Sequence, residues 1–110
     1  MIRGDERALL SVLERGFIAL LQRHNLPLPE TNIPKDGHWV DCRWHEHRLT
    51  VELDSYQFHS TKHAWQQDYQ RERKARKRGD TYHRYIRDDV FDEPEPTVAD
   101  LRQLLSTPAS

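Results

Sequence analysis

The chain has 110 residues, 35% hydrophobic and 32% charged, with a formal net charge of -1 and a single cysteine. That is enough for one domain, residues 1–110, around one modest core. No stretch is long or apolar enough to span a membrane, no signal-peptide run opens the chain, and Cys42 alone cannot form an internal disulfide, so a cytoplasmic domain with no membrane partner is expected.

Residues 5–24 read as a helix, with Leu9, Leu10, Leu13, Phe17, Leu20 and Leu21 recurring at intervals of three and four, ended by Asn25 and Pro27. A strand over 31–35 follows, placed at a sheet edge because Pro34 cannot donate to a ladder, and Asp36-Gly37 is a favoured two-residue hairpin turn. Residues 38–44 and 49–54 are two further strands joined by a turn over 45–48. If Trp44 pairs with Leu49, then Val40, Cys42 and Trp44 face Leu53, Val51 and Leu49 on one apolar face. After a loop over 55–59, Ser60 caps a helix that runs to about residue 78 and stops at Gly79. Residues 81–86 form a last strand, parallel to 49–54 because a helix separates the two, and Val98, Leu101 and Leu105 mark a closing helix. The predicted order is α-βββ-α-β-α, an α/β domain with a mixed four-stranded sheet flanked by helices.

The register that buries the apolar face sets Asp41 opposite Glu52 on the other face, with Asp54 two residues on. Two carboxylates about 4 Å apart repel by about 4 kcal/mol at an effective dielectric near 20, a large fraction of a total stability of roughly 5 to 15 kcal/mol. A divalent cation relieves this, since each carboxylate can give an oxygen to a hard ion. Mg²⁺ or Mn²⁺ is the expected cofactor. Glu14 is the other acidic anomaly: on a helical wheel it falls between Ile18 and Leu21, inside the apolar arc. Two readings stand for it, an arc-edge carboxylate reaching solvent or an arginine, and one aimed at the acidic site.

The charge distribution is dipolar. Arg71, Arg73, Lys74, Arg76, Lys77 and Arg78 form a block broken only by Glu72 and Ala75, whereas Asp88, Asp89, Asp92, Glu93, Glu95 and Asp100 crowd the C-terminal part. The block, with Lys62 and Arg84, is the expected nucleic-acid-binding set, against the plainer reading of a solvated helix face. Asp68 and Arg71, three apart, are positioned to form a supporting ion pair on one helix face. Trp39, Trp44 and Trp65 are expected to serve packing, and the seven histidines read as scattered surface residues.

In order along the chain, these features resemble the PD-(D/E)XK restriction-endonuclease-like superfamily, and within it the small domains similar to very-short-patch repair endonucleases. The stretches that carry the resemblance are Glu14 on the first helix, Val40-Asp41, the run Val51-Glu52-Leu53-Asp54-Ser55-Tyr56-Gln57-Phe58-His59, Asp68 and Arg71, Gly79, Arg84-Tyr85 and Asp89-Val90. The resemblance implies metal-dependent endonucleolytic hydrolysis of DNA, nicking included. It implies Asp41 and Glu52 as metal ligands, Asp54 as a further ligand or water-orienting group where the superfamily has lysine, and His59 as the group that polarises or deprotonates water. Without the acidic cluster, the favoured reading of His59 is a residue that caps the following helix or hydrogen-bonds in the loop. A non-catalytic module on the same fold, binding nucleic acid or acting as an antitoxin-like partner, is the second expectation. The sequence leaves the oligomeric state, monomer or homodimer, open.

Overall fold

The computed structural model describes residues 3–35, 37–55 and 62–106. The expected order of helices and strands is found: α1 (Arg3–Arg23), β1 (Glu30–Asn32), β2 (Trp39–Trp44), β3 (Leu49–Asp54), α2 (Lys62–Lys77), β4 (Thr81–Ile86) and α3 (Pro94–Ser106). A short π-helical segment, Asp88–Asp92, lies between β4 and α3 and was not foreseen.

The four strands form one mixed sheet in the order β1-β2-β3-β4. β2 and β3 pair antiparallel with Trp44 opposite Leu49, Cys42 opposite Val51 and Asp41 opposite Glu52, as the hydrophobic pattern requires. β3 and β4 run parallel with Glu52 beside Arg84, as a helical crossover dictates. The turn at 45–48 is a short 3-10 segment closed by Arg48 at φ +47°. The edge strand is shorter and earlier than expected, Glu30–Asn32 rather than 31–35, because the chain leaves the ladder before Pro34, whose carbonyl accepts from the Gly37 amide. Asp36 of the expected hairpin turn, and the expected cap Ser60, lie outside the described residues.

Helices α1 and α2 close in the same way. Asn25 at φ +56° and Gly79 at φ +85° occupy the left-handed position after each helix. Leu26 N–H then reaches back to Leu21 O at 2.9 Å, and Asp80 N–H to Ala75 O at 3.0 Å, satisfying carbonyls the helix leaves free. The second of these closures sets an aspartate, Asp80, at the foot of the sheet directly after the basic helix.

The core lies on one face of the sheet. Leu10, Leu13, Phe17 and Leu21 of α1 and Leu101 and Leu105 of α3 bury Val40, Cys42, Trp44, Leu49, Val51 and Leu53. Full burial of side chains of this kind contributes about 1.5 to 3 kcal/mol each. Leu9, one residue off the stripe, is instead exposed. Burial, followed by the charges of Glu14, Asp41 and Glu52, pushes the Cys42 thiol well up, so it is an inert apolar packing group. The opposite face of β3 is buried too, and there the residues are Thr50, Glu52 and Asp54. Helix α2 covers that polar face and buries Ala75 and most of Arg71. No helix among the described residues is long and apolar enough to cross a membrane.

Candidate functional site

Alternation along three strands gathers the polar face. β2 contributes Trp39, Asp41 and Arg43, β3 contributes Thr50, Glu52 and Asp54, and β4 contributes Tyr82 and Arg84. At the centre, Asp41 and Glu52 stand opposite each other across the β2–β3 ladder. The Trp39 indole N–H donates to Asp41 Oδ1 at 3.1 Å. Glu52 Oε1 accepts from Arg71 Nε at 2.5 Å and from the Tyr82 hydroxyl at 2.9 Å. Burial is the largest cause that moves the Glu52 carboxyl, to about 7. Arg71 pulls it down and Asp41 pushes it further up. Burial and the neighbouring Glu52 push the Tyr82 phenol up as well, so it remains a hydrogen-bond donor across the working pH range.

Arg71 links most of the groups. Beyond Glu52 it donates to Asp68, stands 3.9 Å from Asp54 and lies 4.1 Å above the Trp39 ring. Burial alone would lower the Arg71 pKa; the facing Glu52 and Asp68 outweigh that and hold the guanidinium charged. The expected Asp68–Arg71 pair is thus present, and it aims the arginine at the acidic centre. Arg71 Nη1 is buried with no hydrogen-bond partner among the described residues, a donor left over after two carboxylates are served.

A second cluster at the rim was missed in the sequence. Asp80, fully buried at its side chain, accepts from Arg43 Nε at 2.8 Å and Nη2 at 3.0 Å and from Thr50 Oγ1 at 2.6 Å, with Arg78 Nε 3.7 Å away. Burial by itself would raise Asp80, but the donors from Arg43 and Thr50 hold it below the usual carboxylate range. The signal available for Arg43 was its place two residues after Asp41, hence on the same face. For Tyr82 it was the same spacing from Arg84. Asp80 had no local signal beyond following Gly79.

The groove beside these groups holds about 430 Å³ and is lined by Trp39, Asp41, Arg43, Thr50, Glu52, Arg71, Lys74 and Arg78. It has an acidic floor and a basic wall. Asp41, Glu52, Arg71, Lys74 and Arg78 of the expected site residues therefore meet in one place. Asp54 is fully buried against Arg84 Nε at 3.2 Å and Arg71, and is not gathered with the pair into a cage; among the described residues no group of three or more His, Cys, Asp or Glu could hold a metal ion. Glu14 accepts from Thr31 Oγ1 at 2.5 Å, and Thr31 pairs with Cys42, so its carboxylate is engaged at the edge strand on the α1 side of the sheet. Lys62, Arg73, Arg76 and Lys77 are exposed on α2, with Arg76 paired to Glu72. His59 lies outside the described residues. Trp44 is core and Trp39 half-buried, as expected of packing residues; Trp65, 66% exposed, is not. It stands largely in solvent on α2.

Comparison with protein-family models, with curated proteins and with solved structures gives no significant match in any of the three.

Proposed function

We propose that this chain is a metal-dependent DNA endonuclease of the PD-(D/E)XK type, with Asp41 and Glu52 as its acidic pair. The observation that carries the reading is the directly opposed, partly buried Asp41–Glu52 pair on the floor of a groove walled by Arg43, Arg71, Lys74 and Arg78. Opposed acids without return are costly in a sheet, whereas acids beneath a basic wall are what phosphodiester hydrolysis needs. The donor set fits Mg²⁺ or Mn²⁺: two hard carboxylates leave positions for water and substrate phosphate, the usual habit of Mg²⁺. Asp41 and Glu52 would hold the ion, which supplies charge neutralisation and a more acidic bound water.

The chain's own groups have separate tasks. Trp39 fixes the Asp41 carboxylate and Tyr82 fixes Glu52. Arg71 holds Glu52 and is itself aimed by Asp68, which keeps a positive charge beside the acidic pair. Arg84 and Arg71 balance Asp54, which takes the place of the superfamily's lysine as a buried counter-charge. His59, by resemblance, takes the proton from water.

One observation favours the second reading, a non-catalytic module that binds nucleic acid or a partner protein. Arg71 already neutralises Glu52, so the fold can tolerate its acids without an ion. End-labelled single-stranded and duplex oligonucleotides incubated with Mg²⁺, Mn²⁺ or EDTA separate the two readings: cleavage in the metal arms alone supports the nuclease, and binding without cleavage in every arm supports the module.

A further inference from the structure

The outer face of α2 carries chemistry the acidic groove does not use. Trp65 and Tyr69, four residues apart and so on one side of the helix, are 66% and 60% exposed. The same side continues through Arg73, whose guanidinium lies 5.7 Å from the Tyr69 ring centroid, to Arg76. Neither ring belongs to the core cluster of the described residues, and Tyr69 has a cation beside it.

Tyr69 is also a ridge between two grooves. On one side Tyr69, Glu72, Arg73, Arg76 and Lys77 line a basic channel. On the other, a groove of about 760 Å³ is lined by Trp39, Gln66, Gln67, Tyr69, Gln70, Arg71 and Lys74. Among the described residues no acid lines this second groove, and its three glutamines each offer an amide donor and an acceptor. It shares Trp39, Arg71 and Lys74 with the acidic groove, so the two adjoin.

From this arrangement we infer that α2 binds an unpaired stretch of nucleic acid strand, its bases stacked on Trp65 and Tyr69, its phosphates on Arg73, Arg76 and Lys77, and the strand led past the glutamines toward Asp41 and Glu52. The inference rests on the nuclease reading for the direction of the strand and names its substrate class: single-stranded or locally melted DNA. The reasons are geometric and electrostatic. A duplex hides the faces of its bases, so exposed rings beside a phosphate track gain nothing from paired DNA, whereas stacking on unpaired bases is sequence-tolerant and strong. The basic flank selects a polyanion over an apolar protein partner.

The test uses the full chain carrying Asp41→Asn, in EDTA, so that no DNA is cut. Fluorescence anisotropy measures affinity for a labelled 20-nucleotide oligo(dT), a 20-base-pair duplex, and a 20-nucleotide strand of abasic sites. The Trp65→Ala/Tyr69→Ala double variant should lose at least about 25-fold in affinity for oligo(dT), taking each ring at its lower value of roughly 5-fold, and less than about twofold for the duplex. The abasic strand should bind the parent as weakly as oligo(dT) binds the variant. Trp65→Phe/Tyr69→Phe, which keeps the rings, should restore most of the affinity and shows that the fold is intact. Equal losses on strand and duplex, or no loss on the strand, overturn the inference; the latter is also what a protein-docking face would give. The two readings fail separately. A stacking-dependent affinity in a wild-type protein that cuts no DNA removes only the nuclease, and cleavage with unchanged strand affinity in the double variant removes only the stacking face.

Discussion

Arg71 Nε lies 2.5 Å from Glu52 Oε1, so the carboxylate that faces Asp41 across the β2–β3 ladder is also held by a guanidinium from α2. The repulsion expected of two opposed acids is thus relieved by a cation on Glu52, and burial also pushes that carboxyl up to about 7. A metal ion entering this site must share Glu52 with Arg71 and, below about pH 7, displace the Glu52 proton.

That competition sets a first expectation. Mn²⁺ or Mg²⁺ should stabilise the protein by binding only the folded pair, about 2.7 kcal/mol at a hundred times the dissociation constant. Asp41→Asn should lose most of the response. Thermal melts with and without millimolar ion, at constant ionic strength, give the answer, and identical curves for the wild type speak against a metal at this pair.

The pH dependence follows from Glu52. Its carboxyl titrates near 7 in the folded protein against an ordinary 4.5. Between those values the folded chain holds a proton that the unfolded chain has lost, so stability in EDTA should fall as pH rises from about 4.5 to 7 and level off above. The loss is on the order of 3 kcal/mol. Glu52→Gln, which keeps an acceptor for Tyr82 and carries no titrating proton, should flatten this part of the profile. Urea unfolding at pH 5 and pH 8 for both proteins measures the difference; matching profiles would show that Glu52 is not the titrating group. Metal affinity should run the other way and rise through the same range, since the ion expels the proton.

Asp80 gives the clearest stability prediction. It is buried beneath Arg43, Thr50 and Arg78, and removing it leaves the buried Thr50 hydroxyl and two partly exposed guanidinium groups without their acceptor. Asp80→Ala should cost about 1 to 3 kcal/mol, the usual loss when a buried polar group is left without its partner. Urea denaturation measures it, and a loss below about 1 kcal/mol would mean that water replaces the aspartate.

The contrast between Asp80 and Asp41 shows what the sequence could carry. The pairing of Asp41 with Glu52 was legible because two apolar runs of period two and a short turn admit one register, and a slip by one residue would turn Val40, Cys42 and Trp44 to the polar side. The Arg43–Asp80 contact joins residues 37 apart and depends on where α2 delivers the chain, which no local pattern encodes. Trp65 failed for a related reason: its composition suggests packing, and only the rotation of α2, fixed by Ala75 and Arg71 against the sheet, turns it outward. The Asp88–Asp92 segment was hidden because its acidic run reads as loop, while Phe91 packs over Gly16 of α1 where a side chain would collide.

The basic helix predicts a salt effect. Replacing Arg73, Lys74, Arg76 and Lys77 with glutamine should weaken binding to unrelated DNAs about equally and reduce the slope of log affinity against log salt by about 1 for each phosphate that is no longer neutralised. Anisotropy titrations across a salt series test this, and an unchanged slope would leave the block a solvated face.

Cleavage of supercoiled plasmid in Mn²⁺ by the wild type, Asp41→Ala and His59→Ala, run side by side, tests the central claim most directly. The wild type should relax or linearise the plasmid only with metal present, and Asp41→Ala should do neither and lose its thermal response to the ion. His59→Ala should keep that response while slowing cleavage by about 10² to 10⁴. Wild type that leaves supercoiled, mismatched and single-stranded DNA all intact in Mg²⁺ and Mn²⁺, yet binds them, would contradict the nuclease and leave the acidic pair as part of a binding module.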